Sequence, residues 1–262
     1  MDLALQDHIA VITGASQGIG RAVAGTLAAE GCELHLAART ASDLEQLAAS
    51  LRERGAKAVH CHALDLALEA DQAALAERCG EAHILVNCAG DIPGGDLESF
   101  DMARWRAGWE LKVFGYINLC RLFYPAMKAR GRGVIVNIIG AAGARPDAGY
   151  IAGSTGNAAL IAFTRALGAR SVDHGVRVVG VNPSLTDTAR GQRILQAKTG
   201  GDAEARDHFL AGLPLGRMCE PTEVAEASYA ACGAVPAAPD FSAAVTVGRS
   251  LGRGGRYDEL VG

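Results

Sequence analysis

The run Thr13-Gly14-Ala15-Ser16-Gln17-Gly18-Ile19-Gly20 decides the fold of this chain. It follows His8–Thr13, an apolar stretch of strand length, and opens Ile19–Glu30, an amphipathic stretch of helix length. Glycine permits a tight turn and a close approach of backbone to a pyrophosphate. The helix that follows offers unpaired N–H groups and the positive end of its dipole to the anion. A lone glycine triplet is weak, but between a strand and a helix it points specifically to a dinucleotide-binding turn.

The same alternation continues outward from that turn. Strands are predicted at Glu33–Ala37, Ala58–Ala63, Ile84–Asn87, Val134–Ile139 and Arg177–Asn182, with a possible last edge strand at Val245–Val247. Helices are predicted at Ala41–Arg54, Glu69–Cys79, Arg104–Arg130, Ser154–Ser171 and Thr222–Cys232, the last with Pro221 in its first turn. Repeated strand–helix–strand units with near-continuous Val/Ile/Leu strands predict an α/β fold. Its core is a Rossmann-type, doubly wound parallel sheet, and residues 1–262 form one domain. Ser184–Gly216 follows the C-terminal end of a strand, the ligand side of such a sheet, and reads as a substrate lid over about residues 185–216.

Composition removes several classes of protein. Of 262 residues, 49% are hydrophobic and 21% charged, which fits a large core and excludes a mostly disordered chain. No apolar run reaches ~20 residues, so no membrane helix is expected. Met1–His8 carries no Lys or Arg and no signal-peptide core. A net charge of −4 lacks the basic footprint of a nucleic-acid binder. Seven cysteines without a CxxC pair read as reduced thiols of a cytoplasmic protein. Cys61 lies between His60 and His62, but strand alternation sends it to the opposite face, so no metal site is expected.

The spacing Gly14, Gly18, Gly20 is TGxxxGxG, and here the chain resembles the short-chain dehydrogenase/reductase superfamily. Further matches run in family order. Asp65-Leu66 resembles the adenine-contacting pair. Asn87-Cys88-Ala89-Gly90 resembles the NNAG segment, with Cys88 for its second Asn. Tyr150 falls at the catalytic Tyr, and Asn182-Pro183-Ser184 resembles NxPG. Thr188 falls where the family places a Thr on the nicotinamide carboxamide. The resemblance implies a nicotinamide cofactor held by Gly14, Ser16, Gln17, Gly18, Ile19, Gly20, Asp65, Leu66, Asn87, Ala89, Gly90, Tyr150, Pro183 and Thr188. NAD-specific sites carry an acid at the end of the second strand. Here Ala38 stands there and Arg39 follows, which favours the 2′-phosphate of NADP(H) over NAD(H). Gln17, where NADP-preferring relatives often carry a basic residue, argues the other way.

The resemblance also implies an Asn–Ser–Tyr–Lys tetrad, of which this chain keeps only the Tyr. Ser154 stands four residues after Tyr150, where YxxxK has Lys. Gly140 takes the Ser slot, and Lys112 takes the Asn position. The family fold puts the Asn and Lys positions across one water, so the Lys112 ammonium is expected beside Tyr150, in room left by the shorter Ser154. A cation ~4–5 Å away at an effective dielectric near 20 is worth about 3–4 kcal/mol, or roughly 2–3 units of Tyr pKa. The expected machinery is therefore Tyr150 as acid/base with Lys112, Ser154 contributing a hydroxyl. The substrate oxygen is left to Tyr150, to backbone N–H near Gly140–Ala142, or to Asn157, which otherwise reads as an ordinary polar residue.

The expected substrate is a small carbonyl or secondary alcohol. Arg190, Arg193, Lys198 and Arg206 of the lid are balanced by Asp187, Asp202, Glu204 and Asp207 and read first as a solvated face. Leu97, Phe100, Trp105 and Trp109 read as core or interface. Relatives pair the two long helices into a dimer, so a homodimer or homotetramer is expected. The Phe241–Arg256 ending fits the tetramer contact poorly. Two other readings stay open: an NADP(H)-binding regulator or partner subunit without dehydrogenase activity, and a non-redox lyase or isomerase using Tyr150.

Overall fold

Six parallel strands form one sheet in the order β3-β2-β1-β4-β5-β6 in a computed structural model that describes residues 3–213 and 215–233. The strands are β1 Ile9–Thr13, β2 Glu33–Ala38, β3 Ala58–Ala63, β4 Ile84–Asn87, β5 Gly133–Ile138 and β6 Val176–Val181. The helices are α1 Gly18–Ala29, α2 Ala41–Glu53, α3 Glu69–Arg78, α4 Met102–Trp109, α5 Gly115–Arg130, α6 Ile151–Ser171, α7 Ala189–Thr199, α8 Ala203–Ala211 and α9 Pro221–Cys232. The expected strand at Val245–Val247 and the Phe241–Arg256 ending lie outside the described residues.

Strand alternation fills both faces of the sheet. On one side Leu34 and Leu36 of β2 join Ile12, Val86 and Val136 under α1, α2 and α9. On the other, Val11, Leu85 and Ile135 join Leu75, Leu119, Phe123 and Met127 of α3 and α5. All twelve of these side chains are fully or almost fully buried, and double-sided burial is what a parallel sheet of continuous apolar strands requires. Cys61 packs into the first layer; His62 lies against Cys79 on the other side. No described helix is long and apolar enough to cross a membrane.

Two expectations change. The single helix Arg104–Arg130 is three pieces: α4, a π turn at Glu110–Phe114, and α5. Periodicity near 3.6 does not register one wider turn, yet such turns recur at functional sites, and this one carries Lys112. The segment expected to act as a lid carries two short helices, α7 and α8, that the sequence pattern did not mark. Thr188 caps α7 by accepting from Gly191 N at 3.0 Å, and Asp202 caps α8 by accepting from Ala205 N at 2.7 Å.

Candidate active site

The strand order reverses between β1 and β4, and the crevice opens there. Thr13 binds the two sides together. Its hydroxyl accepts from Cys88 N at 2.9 Å and Ala89 N at 3.1 Å and donates to Val86 O at 3.4 Å. Gly14 (φ +65°) and Gly18 (φ +56°) supply the turn. A Cβ on Gly14 would lie 2.8 Å from Ala89 Cα, and one on Gly20 would strike Gly14 O. The start of α1 has no side-chain cap on Gln17 and no acid in its first turn. That backbone cradle, with free N–H groups and a positive dipole end, fits a dinucleotide pyrophosphate.

Other cofactor candidates sit at the same edge. Arg39 is exposed just beyond β2. The Asp65 carboxylate accepts from Ala67 N at 3.1 Å, and Leu66 is buried. The Asn87 side chain does not face the crevice. It donates to Asn137 Oδ1 at 2.9 Å, inside a buried ladder that continues to Thr164. Only its backbone, with Cys88–Gly90, borders the cleft. Pro183 O accepts from Ala141 N at 2.9 Å and ties the ends of β5 and β6 together. Thr188 closes on the phosphate turn, its methyl 3.1 Å from where a Gly18 Cβ would be.

Tyr150 stands one residue ahead of α6, with φ −138° and ψ 42°. As the N-cap it already takes part in the first turn: its carbonyl accepts from Ser154 N at 2.8 Å. The Ser154 side chain, however, turns away from the phenol. The Ser154 hydroxyl accepts from Asp147 N at 3.0 Å and donates to Asp147 O at 3.3 Å, bracing the loop before the helix, and the residue is buried. The hydroxyl expected at the ribose or in a proton relay is engaged with the Asp147 backbone in this structure. The Tyr150 ring instead lies across Gly153, where any Cβ would fall inside the ring. It packs against the cluster of Ile92, Phe100, Val113 and Ala152, which Trp105 and Trp109 also flank.

The cation bonded to Tyr150 is not Lys112. Arg190, on the first turn of α7, donates from Nη2 to Tyr150 Oη at 3.3 Å and to Ile92 O at 2.7 Å. Its Nη1 donates to Gly90 O at 2.9 Å and pairs with Asp91 at 2.9 Å. Lys112 Nζ donates to Ile139 O at 2.8 Å and Ile138 O at 3.2 Å. Its stem runs beneath Gly90, 2.7 Å from where a Cβ there would be. Two cations thus flank Gly90, with Arg190 hydrogen-bonded to Tyr150 and Lys112 held on the Ile138 and Ile139 carbonyls. Burial brings the Lys112 pKa down to about 8, with Arg190 adding to the effect. Burial raises the Tyr150 pKa above its ordinary value, against the lowering pull of Arg190, so the phenol keeps its proton at neutral pH.

Asn157 is the other residue that spacing undervalued. Its Nδ2 stands 2.9 Å from where a Gly140 Cβ would be, and its buried Oδ1 has no partner among the described residues. Gly140, with φ +134°, leaves that space open. Neither Arg190 nor Asn157 carries a local motif. The available signals were Gly140 and Gly153, whose missing side chains other residues fill.

A parallel sheet, a glycine cradle at its switch point and a tyrosine at the strand ends define a nucleotide-dependent oxidoreductase scaffold. The short-chain dehydrogenase family pattern matches residues 8–199, and the chain belongs to that family. It is 31% identical over 229 residues to 2,3-dihydro-2,3-dihydroxybenzoate dehydrogenase of Bacillus subtilis, covering 85% of this chain and 88% of that one. L-sorbose reductase from Gluconobacter frateurii, solved with NADPH and L-sorbose, superposes with a TM-score of 0.86 at 29% identity, covering 96% of this chain and 99% of that one. A 7α-hydroxysteroid dehydrogenase complexed with NADH and 7-oxo glycochenodeoxycholic acid superposes at 0.84 with 25% identity, covering 95% and 96%. The chain is an oxidoreductase of this family.

Proposed function

We propose that this protein is an NADP(H)-dependent reductase of a small-molecule carbonyl, with Tyr150 as the proton donor. One observation carries the reading: a protonated Tyr150 hydroxyl accepts from Arg190 at the strand ends. Because the guanidinium donates to the phenol oxygen, the phenol proton is free to point at a substrate oxygen. The same guanidinium stabilises the phenolate left after transfer. The bound nicotinamide supplies or takes the hydride. Lys112 holds the Ile138 and Ile139 carbonyls and keeps positive charge under Gly90, where it assists Tyr150 at longer range. Asn157 Nδ2 offers a hydrogen bond to the substrate oxygen in place of the hydroxyl that Gly140 lacks.

Arg39 and the absence of an acid at Ala38 support NADP(H). The solved relatives include NADPH and NADH complexes, and the reading of NADP(H) for this chain rests on Arg39 and Ala38. The aromatic wall of Phe100, Trp105 and Trp109 suits a carbonyl with an apolar flank. Seven free thiols suit the reducing cytoplasm, and pairing of two copies through α5 and α6 fits the resemblance. A cofactor-binding protein without turnover is the second reading, favoured by the three replaced tetrad positions, Lys112, Gly140 and Ser154.

The test is NADPH and NADH binding, followed by NADPH consumption against a panel of diketones, hydroxyketones and cyclic ketones. Tighter NADPH binding that Arg39→Ala abolishes, with stoichiometric alcohol formation, is expected. Tight binding without consumption selects the second reading. Product without net change in the nicotinamide selects a lyase or isomerase.

A further inference from the structure

Three ligating atoms converge at the far edge of the sheet, on residues that the proposed reaction does not use. His35 of β2 and His62 of β3 project from the same face: His35 pairs with His60, and His62 lies two positions further along the register, opposite Ala37. Cys79 caps the C-terminus of α3 above them. His35 Nδ1 lies 3.0 Å from His62 Nε2 and 3.2 Å from Cys79 Sγ, and Sγ lies 3.7 Å from His62 Nε2. His62 and Cys79 are buried, and the His35 side chain is 12% exposed.

We propose that His35, His62 and Cys79 form a binding site for a borderline divalent transition-metal ion of the Zn²⁺ class, clipping β2, β3 and α3 together. Zinc bonds of about 2.0–2.1 Å to nitrogen and about 2.3 Å to sulfur, at tetrahedral angles, place nitrogens about 3.3 Å apart and nitrogen and sulfur about 3.6 Å apart. The two N···S separations, 3.2 and 3.7 Å, bracket their value, and the N···N separation of 3.0 Å is slightly shorter than its own. One imidazole plus one thiolate plus a second imidazole is also a donor set that zinc accepts.

Hydrogen bonding alone serves the triangle poorly. The two rings lie within 11° of coplanar, with centroids 5.2 Å apart, so His35 Nδ1 and His62 Nε2 face each other along one N–H···N bond. Nδ1 has a single in-plane direction and cannot also aim at Cys79 Sγ. A cation off the N···N line, on the sulfur side, takes a lone pair from all three once each ring turns about its Cβ–Cγ bond. Glu33 Oε1, 3.5 Å from His35 Nε2, favours the proton on that nitrogen and leaves Nδ1 as the free lone pair. It also holds His60 Nε2 at 3.2 Å. Burial lowers the pKa of both His35 and His62, His62 to about 4, so both are neutral ligands at pH 7. The Cys79 thiol, pushed up to about 12 by burial, loses its proton to solvent as the metal bond forms.

Strand alternation sends Cys61 into the opposite layer, so it takes no part in the cluster. The partners of His62 come from β2 and from α3, more than fifteen positions away in sequence.

Cobalt(II) tests the site without reference to catalysis. Chelator-treated full-length protein is titrated with Co²⁺ while thiolate-to-cobalt charge-transfer absorption is followed. Saturation at one ion per chain is expected. The band should disappear in Cys79→Ser, weaken at least tenfold in apparent affinity in His62→Gln, and persist in Cys61→Ser. Circular dichroism checks that each variant is folded, and His62→Gln, which keeps the thiol, serves if Cys79→Ser does not fold. No thiolate band at stoichiometric Co²⁺, a band that survives loss of Cys79, or unchanged affinity in His62→Gln overturns the proposal. So does thiolate-free binding at Glu33 and His60.

Discussion

A methyl group on Gly153 would fall inside the Tyr150 ring, so the position of the proposed acid depends on a side chain that is absent. In an ordinary helix Gly→Ala stabilises by roughly 0.5–1 kcal/mol. Here Gly153→Ala is expected to expel the ring, and displacement of a catalytic group by about 1 Å can cost about 10²-fold. Turnover should fall by at least about tenfold while circular dichroism and NADPH binding persist; undiminished turnover would mean that the ring position does not matter. Arg190 acts on the same hydroxyl. An isolated charge at that range is worth several kcal/mol at an effective dielectric near 20, reduced here by partial exposure and by Asp91. Arg190→Met should therefore raise the Tyr150 pKa by about one unit or more. The alkaline limb of kcat/KM, where the acid loses its proton, then moves upward and the maximum falls. An unmoved limb would detach Arg190 from Tyr150.

At the scale of elements, the π turn brings Lys112 under Gly90 and onto two carbonyls. The unfolded lysine titrates near 10.5 and the folded one near 8. Between those values the unfolded chain holds the extra proton, so stability from this group rises with pH there. Its cost is fully present below about pH 8 and fades toward 10.5. Lys112→Met is accordingly expected to match or exceed the wild-type Tm at pH 7, with the difference turning toward the wild type by pH 10. It should still lose at least about tenfold in turnover. Unchanged turnover would leave Lys112 with a packing role only.

Elements are also where the limits of sequence reading lie. The strands and most helices were legible, because Val, Ile and Leu runs such as Ile84–Asn87 and the stepped apolar pattern of Ala41–Glu53 encode burial directly. Lys112 was legible as a cleft residue, but its partners were not. Tyr150 invites a count of four to Ser154, and the backbone obeys it, with Tyr150 O accepting from Ser154 N at 2.8 Å, but the Ser154 hydroxyl turns to Asp147 instead of the phenol. Arg190 looked like one charge among many in a balanced lid. Its contacts with Gly90, Ile92 and Tyr150 span 40 to 100 positions, and no local pattern carries such a pairing.

For the whole molecule, one sheet with two packed faces places every proposed functional group of the reductase at the C-terminal strand ends, and the histidine–cysteine cluster at the β3 edge. α5 and α6 pack against each other, and the proposed pairing of two copies runs through them. Sedimentation at micromolar concentration is expected to give a dimer or larger species, and a monomer would contradict that assembly.

The central claim is that Tyr150 donates the proton in a nicotinamide-linked reduction. The most direct measurement is kcat/KM for NADPH-dependent carbonyl reduction by Tyr150→Phe against the wild type, at matched NADPH occupancy. General-acid catalysis is typically worth 10²–10⁴-fold, so a loss of about that size with NADPH affinity preserved is the predicted result. A loss of less than about threefold, a small fraction of that general-acid effect, would contradict it.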